Sequence, residues 1–131
     1  MTTKTLATGK THNTTGPNGA AKSADGWLDI RLPDAHPAAE NLFGAAWSAC
    51  FMGALQLAAA QQKVTLPALP EIDAEVDLNH GADGFFLSAR LNVALPALDR
   101  AVAQALVDTA HQICPYSKAT RGNIDVAVTL V

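Results

Sequence analysis

The chain has 131 residues, of which 49% are hydrophobic and 16% are charged, so it is long enough for one domain whose core needs no disulfide or metal. Its net charge of −3 argues against a nucleic-acid-binding surface, and no basic run suggests binding to an anionic membrane. The polar, threonine-rich N-terminal segment lacks the apolar stretch of a secretory signal. We therefore expect a single domain over residues 1–131, located in the cytoplasm.

The first part of the chain predicts two short strands that form a meander. Residues 3–14 are rich in threonine with partial alternation, which favours a strand. Residues 16–19, with the sequence GPNG, are typical of a turn. Residues 27–32 predict the second strand, in which Asp29 and Arg31 face outward.

The longest apolar run of the chain predicts a helix over residues 38–62. Pro37 lies just before it, and proline suits the first position of a helix. Residues 42–60 are mostly apolar but are interrupted by Ser48 and Gln56, which favours a core helix over a membrane span. This alanine-rich helix offers more apolar surface than one small domain can cover, so we expect an obligate dimer.

Two alternating segments follow and predict a hairpin. Residues 85–95 alternate apolar and polar side chains, and residues 79–84 should form the loop that joins them to the preceding strand. That preceding strand, residues 71–78, is expected to be half-exposed, with a solvent face made of four acidic residues, Glu71, Asp73, Glu75 and Asp77.

The last part of the chain predicts one more helix and one more strand. Apolar residues recur at helical spacing over residues 97–114, and Pro115 ends that helix. Residues 124–131 predict the final strand. Strands, helix, strands, helix and strand in this order describe an α+β domain in which helices pack against sheets.

The two cysteines, Cys50 and Cys114, lie 64 residues apart in separate apolar segments. They are either a thiol pair that meets in the fold or two unrelated core cysteines, since free cysteine is among the most buried residue types. To act as a nucleophile, Cys50 needs a positive neighbour or a helix N-terminus that lowers its pKa. Cys114 lies at a helix C-terminus, where the helix dipole disfavours a thiolate, so it suits a resolving partner better than the attacking thiol.

Glu40 is the only charged side chain in the segment ENLFGAAWSACFMGAL around Cys50. On a straight helix the ten residues between them correspond to about 15 Å, which is too far for a glutamate to serve the thiol. If the two cooperate, the helix must kink or break within residues 44–48. Such a break would also place Cys50 near a new helix N-terminus.

Other interpretations of these residues stay open. His111 and Cys114 form an H-x-x-C pair that, with Cys50 and Glu40, makes a zinc site conceivable, but the spacing matches no recognised zinc motif and we expect no metal. The apolar neighbours of Cys50 either line a substrate pocket or belong to the core or a dimer interface; they are Phe43, Trp47, Phe51 and Met52.

The segment ENLFGAAWSACFMGAL, followed by AHQICPYSKATRGNIDVAVTLV, resembles the organic hydroperoxide resistance (Ohr) family within the OsmC superfamily. The resemblance runs from about residue 23 to residue 131. It implies an OsmC-like α+β fold with two antiparallel-rich sheets around central helices. It also implies an intertwined homodimer with its active sites at the subunit interface.

The same resemblance implies a stress-response antioxidant enzyme, a thiol-dependent peroxidase that reduces fatty-acid and other organic hydroperoxides to alcohols. Cys50 matches the peroxidatic cysteine, Cys114 the resolving cysteine, and Glu40 the glutamate that helps to organise the attacking thiol. The family's reductant is a dihydrolipoyl group carried on a partner protein, and no metal, haem or flavin is expected. An apolar pocket lined by the four apolar candidates named above would favour alkyl hydroperoxides over hydrogen peroxide.

One departure from the family pattern concerns the cation of the active site. The family pairs the glutamate with an arginine from a glycine-rich loop, and here that loop has the sequence TGPNGAAK, with Pro17 near the arginine position. The alternatives are a catalytically impaired member that binds small ligands or senses redox state, and an OsmC-like thiol protein that uses another oxidant. The cations that are nearby in sequence are Lys10, Lys22, Arg31 and His36.

Overall fold

The computed structural model describes residues 2–131, which fall into two compact units, one up to Ala39 and one from Glu40 to Val131. The N-terminal unit contains an antiparallel sheet of three short strands in the order β1-β2-β3. These strands are β1 (Thr11–Asn13), β2 (Ala20–Ser23) and β3 (Asp29–Arg31). The single-domain organisation stays a prediction.

The N-terminal sheet differs from the predicted two-stranded meander. The predicted strand over residues 3–14 is wrong for most of its length, because only Thr11–Asn13 pairs with a neighbour. The central strand, Ala20–Ser23, was missed. The predicted turn is confirmed, since the Gly19 N–H donates to the Gly16 carbonyl at 2.8 Å. A Cβ on Gly19 would lie 2.4 Å from the Leu32 carbonyl oxygen, so only glycine fits there.

The predicted central helix is confirmed as α1 (Ala38–Gln61), 24 residues long and unbroken. The break considered within residues 44–48 is absent. The Ser48 hydroxyl donates a hydrogen bond to the Gly44 carbonyl at 2.8 Å, so this polar side chain has a partner inside the helix and does not interrupt it. By length and composition α1 would suffice to cross a membrane, a test that the core helix of a soluble protein also passes.

The C-terminal unit contains the second sheet, in the order β4-β5-β6, with β4 (Glu71–Gly81), β5 (Gly84–Ala94) and β6 (Asp125–Leu130). β4 and β5 are antiparallel, and their ladder continues to the Gly81↔Gly84 pair. The predicted hairpin loop over residues 79–84 was therefore too long. Gly84 has a φ of +105°, a conformation that lets the chain reverse over two residues.

β5 and β6 are parallel, because two helices carry the chain back across the sheet between them. α2 (Arg100–Ile113) begins after its N-cap Asp99, whose side chain accepts from the Val102 N–H. It begins later than predicted, since Ala97 has a φ of +61° and cannot be helical. α3 (Pro115–Thr120) was not predicted, and Pro115 is its first residue as well as the end of α2.

One face of α1 packs with β5 and α2 to form the core of the C-terminal unit. The opposite face of α1 is exposed and carries small or apolar residues, among them Ala45, Ala49, Gly53 and Leu57. The α+β class with two three-stranded sheets agrees with the prediction, whereas the obligate dimer stays a prediction. The largest fully buried core side chains are Trp47, Phe51, Leu55, Leu91, Val93, Leu106 and Val107.

Candidate active site

The two cysteines meet in the C-terminal unit. Cys50 lies in the middle of α1 and is half-buried, and Cys114 is fully buried at the junction of α2 and α3. Their Sγ atoms are 3.5 Å apart and share a hydrogen bond. A disulfide needs about 2.05 Å between the sulfurs, so an approach of about 1.5 Å would join them. Of the two possibilities that the residues left open, the structure shows the thiol pair.

Cys50 receives a backbone hydrogen bond from the first turn of α3. A backbone hydrogen bond from Tyr116, the second residue of that helix, lowers the pKa of the Cys50 thiol. Burial outweighs this contact, and the hydrogen bond and charge of Cys114 add to burial, so the pKa of Cys50 lies above its ordinary value. Because α1 is unbroken, it provides no new helix N-terminus near Cys50. The short helix α3 provides one backbone N–H for the thiol instead.

Glu40 lies in the first turn of α1 and is buried, with 8% of its surface exposed. Because α1 is unbroken, the ten residues from Glu40 to Cys50 separate them by about 15 Å along the axis. Within one chain the structure therefore does not bring the two together. Glu40 instead borders a groove of about 530 Å³ between α1 and β4, which is also lined by Gly44, Ser48 and Val76.

The four apolar candidates fall into two groups. Trp47 and Phe51 are fully buried and belong to the core, as one of the two interpretations expected. Phe43 and Met52 are half-buried. The rings of Phe43 and Trp47 meet edge to face, with centroids 5.7 Å apart. A role for any of them in substrate binding stays a prediction.

A buried polar network lies beside Cys114 and was missed in the sequence. Ser117 of α3 is fully buried, and its Oγ lies 3.3 Å from Trp47 Nε1 and 2.9 Å from His111 Nδ1. Burial lowers the pKa of His111, the charge of Arg121 lowers it further, and Asp108 opposes the shift. The only signal for this network in the sequence was Ser117, two residues after Cys114-Pro115. That serine could not be placed beside Trp47 and His111 without α3, which was not predicted.

The possibility of a zinc site receives no support from the geometry. Across residues 2–131, no group of three or more histidine, cysteine, aspartate or glutamate side chains is arranged to hold a metal ion. His111, one of the residues considered for it, is engaged with Ser117 through Nδ1.

The residues considered as substitutes for the missing arginine lie in the N-terminal unit. Pro17 is exposed in the turn before β2, and it borders a shallow depression together with Lys22 and Arg31. Lys10 and His36 are exposed as well. Which of these cations serves the thiol stays a prediction.

The acidic face of β4 is confirmed as largely solvated, with an ion pair at one end. Asp77 accepts two hydrogen bonds from the Arg90 guanidinium, at 2.7 and 2.9 Å, and one from Ser88 at 2.7 Å. These contacts lower the pKa of Asp77 to about 2. Glu75 lies 3.5 Å from the same guanidinium. The cluster neutralises part of an exposed sheet face.

A family model described as OsmC-like protein matches residues 32–129. The chain belongs to the OsmC-like protein family. It is 43% identical over 136 aligned positions to the organic hydroperoxide resistance protein of Xanthomonas axonopodis pv. citri, and the alignment covers 97% of this chain and 96% of that protein. The resemblance to the Ohr family that the two cysteine segments carried is confirmed.

Solved structures of Ohr-named proteins share the fold. The crystal structure of OhrB from Bacillus subtilis superposes with a TM-score of 0.82 at 39% identity, over 97% of this chain and 100% of that one. A Legionella pneumophila organic hydroperoxide resistance protein gives a TM-score of 0.84 at 34% identity, over 97% of this chain and 98% of that one. The OsmC-like fold predicted from the resemblance is therefore confirmed.

Proposed function

We propose that this chain is a thiol-dependent peroxidase that reduces organic hydroperoxides to alcohols. The observation that carries the proposal is the Cys50–Cys114 pair, with its sulfurs 3.5 Å apart in a member of the Ohr family. The Cys50 thiolate attacks the distal oxygen of the hydroperoxide, the O–O bond breaks, and the alkoxide leaves as an alcohol after taking a proton. Cys50 is thereby oxidised to a sulfenic acid.

The second step is closure of the Cys50–Cys114 disulfide. The Cys114 sulfur attacks the sulfenic sulfur of Cys50, the S–S bond forms, and the sulfenic oxygen leaves as water. Because Cys114 is fully buried against Cys50, the attack is intramolecular and needs little rearrangement. A dihydrolipoyl dithiol on a partner protein then reduces the disulfide and is itself oxidised to the cyclic disulfide.

The attacking thiolate requires positive potential that one chain supplies only in part. The Tyr116 N–H favours the thiolate, but burial and Cys114 raise the pKa of Cys50 above its ordinary value. Glu40 of the same chain lies about 15 Å away along α1. The glutamate that organises the Cys50 thiol is therefore Glu40 of the partner subunit. The exposed small-residue face of α1 supports such a homodimer. Arg31 is our favoured cation, because a guanidinium can bind a carboxylate with two hydrogen bonds.

The proposed substrate class rests on the family resemblance and on the apolar side chains of the helix that carries Cys50. The half-buried Phe43 and Met52 offer apolar surface on the helix that carries Cys50, and Trp47 and Phe51 of the same helix lie in the core. Alkyl and fatty-acid hydroperoxides should therefore react faster than hydrogen peroxide. The test compares second-order rates of Cys50 oxidation by cumene hydroperoxide and by hydrogen peroxide, and equal rates would overturn the substrate class. We propose a cytoplasmic location and no metal or organic cofactor.

A second candidate function is favoured by the raised pKa of Cys50 and by Pro17 near the expected arginine position. In this alternative the chain is a catalytically impaired member that binds small ligands or senses redox state. Mass analysis under non-reducing conditions separates the two. The peroxidase should lose two hydrogens per chain after treatment with hydroperoxide. Cys50→Ser should abolish the loss, and Cys114→Ser should accumulate the sulfenate, whereas an unchanged parent mass would favour the binder.

A further inference from the structure

Three polar side chains join the three helices of the C-terminal unit beside the thiol pair. Trp47 comes from α1, His111 from α2 and Ser117 from α3. The Ser117 hydroxyl lies between the other two, 3.3 Å from the indole nitrogen and 2.9 Å from His111 Nδ1. Trp47 and Ser117 have no exposed surface, so water does not compete for these hydrogen bonds. We call this set the Ser117 network.

The chemistry of the Ser117 network fixes the direction of one of its two hydrogen bonds. An indole nitrogen can only donate, so Ser117 Oγ accepts from Trp47. The hydroxyl keeps its proton and a second lone pair, so it can donate to His111 Nδ1 or accept from it, according to the histidine tautomer. On its other side, the His111 ring faces the aromatic ring of Phe51, with the two ring centroids 6.5 Å apart. Each polar atom that faces Ser117 is satisfied.

The network acts on the segment that contacts Cys50. α3 has only six residues, too few for a helix to be stable by itself. Its N-cap is Cys114, its second residue is Tyr116, and its third residue is Ser117. A displacement of this turn moves the Cys114 sulfur and the Tyr116 N–H at the same time.

We infer that Ser117 is a positioning residue for the thiol pair. Its hydrogen bonds with Trp47 and His111 hold the first turn of α3 so that Cys114 Sγ and the Tyr116 N–H both face Cys50. The inference rests on the proposed function for its catalytic meaning, because the same geometry governs closure of the disulfide from the sulfenate. It does not require that a hydroperoxide be the oxidant.

The first experiment measures disulfide closure without any peroxide. The parent protein and Ser117→Ala are equilibrated with glutathione redox buffers, and the effective concentration of Cys114 toward Cys50 is obtained from the fraction of disulfide. We expect Ser117→Ala to lower it by about tenfold or more, since displacements of about 1 Å are costly to such reactions. An unchanged value would overturn the positioning role. This readout stays valid if the protein proves to have no peroxidase activity.

The second experiment follows the reaction after one equivalent of cumene hydroperoxide. In Ser117→Ala the sulfenate should persist longer and be trapped in higher yield by a dimedone reagent. The alkylation profile of Cys50 should also shift along the pH axis, because the displaced turn moves both the Tyr116 N–H, which lowers the pKa of Cys50, and Cys114, which raises it. If the parent forms neither sulfenate nor disulfide, the proposed function fails, and the glutathione equilibrium alone decides the positioning role.

Thr120→Val is the matched control. Thr120 is a buried hydroxyl residue of the same helix, but its Oγ1 donates to the carbonyls of Tyr116 and Ser117 and lies outside the network. It should lower the melting temperature and leave closure and the alkylation profile unchanged. Equal effects of Thr120→Val and Ser117→Ala on closure would contradict the inference.

Two further variants keep the test decisive if Ser117→Ala does not fold. Trp47→Phe removes the indole donor and keeps an aromatic ring in the core, and it should slow closure. His111→Asn can keep a group that donates or accepts near the position of Nδ1 and should retain closure close to that of the parent. Normal closure in Trp47→Phe would overturn the inference.

Discussion

Replacing Cys114 with serine should lower the pKa of Cys50 without bringing it down to that of a free cysteine. Burial is the largest cause of the raised pKa, and the Tyr116 N–H opposes it. The hydrogen bond and charge of Cys114 add smaller increases, which the substitution weakens or removes. Burial alone still exceeds the effect of the N–H. The expected pKa values therefore rise from free cysteine, through Cys50 in Cys114→Ser, to Cys50 in the parent protein.

The magnitude at neutral pH follows from this order. A free cysteine with a pKa of about 8.5 is about 3% thiolate at pH 7. Cys50 in the parent should lie below that fraction, and Cys114→Ser should lie between the two. Because the raised pKa favours the protonated thiol, this group's contribution to folding stability is present at low pH. It is lost as the pH rises through the pKa of the folded protein.

The assay is the rate of iodoacetamide alkylation as a function of pH, with modification at Cys50 verified by mass. Cys50→Ser serves as the control, since the fully buried Cys114 should react slowly. An unchanged or higher pKa in Cys114→Ser would refute the assigned causes. A parent pKa below that of free cysteine would show that a cation outside these contacts dominates the site.

Three other predictions concern the groups around the pair. The lowered pKa of His111 means that the unfolded chain binds a proton first as the pH falls. The free energy of unfolding should therefore decrease from about pH 6.5 down to the pKa in the folded protein, and His111→Asn should remove this decrease in urea titrations. Arg31→Ala should raise the pKa of Cys50 and slow the peroxidase reaction, and Pro17→Arg should speed that reaction. If neither variant changes the alkylation of Cys50, both positions are excluded as the site of the cation that stabilises its thiolate. Leu57, 52% exposed on α1, should support the dimer, so Leu57→Asp should shift light scattering toward the monomer, and an unchanged mass would exclude this face.

The main elements of the C-terminal unit could be predicted from local pattern. α1 is long, apolar and free of proline, and β4 and β5 alternate in hydrophobicity, so their periodicity identifies them. The short β2 could not be found this way, because AAKS has no alternation of large apolar side chains and is defined by its two neighbours. α3 has only six residues, and it was missed because Pro115 was taken only as the end of α2, which it also is.

The site was predictable only where the two cysteine segments resembled a known family. The residues alone left open whether Cys50 and Cys114 meet, since a separation of 64 positions says nothing about distance in the fold. The Ser117 network joins Trp47 to a residue 70 positions away and could not be inferred without the placement of α3. The break in α1 was required only if Glu40 and Cys50 cooperate within one chain, and the structure shows α1 without it.

The most direct test of the central claim is the stoichiometry between alcohol and disulfide in a single turnover. Reduced protein is mixed with one equivalent of cumene hydroperoxide, and cumyl alcohol and the Cys50–Cys114 disulfide are quantified in the same sample. The account predicts one alcohol for each disulfide formed. Cys50→Ser should form neither product, and Cys114→Ser should form the alcohol with a sulfenate in place of the disulfide. Alcohol formation that survives Cys50→Ser, or a parent protein that forms no alcohol, would contradict the account.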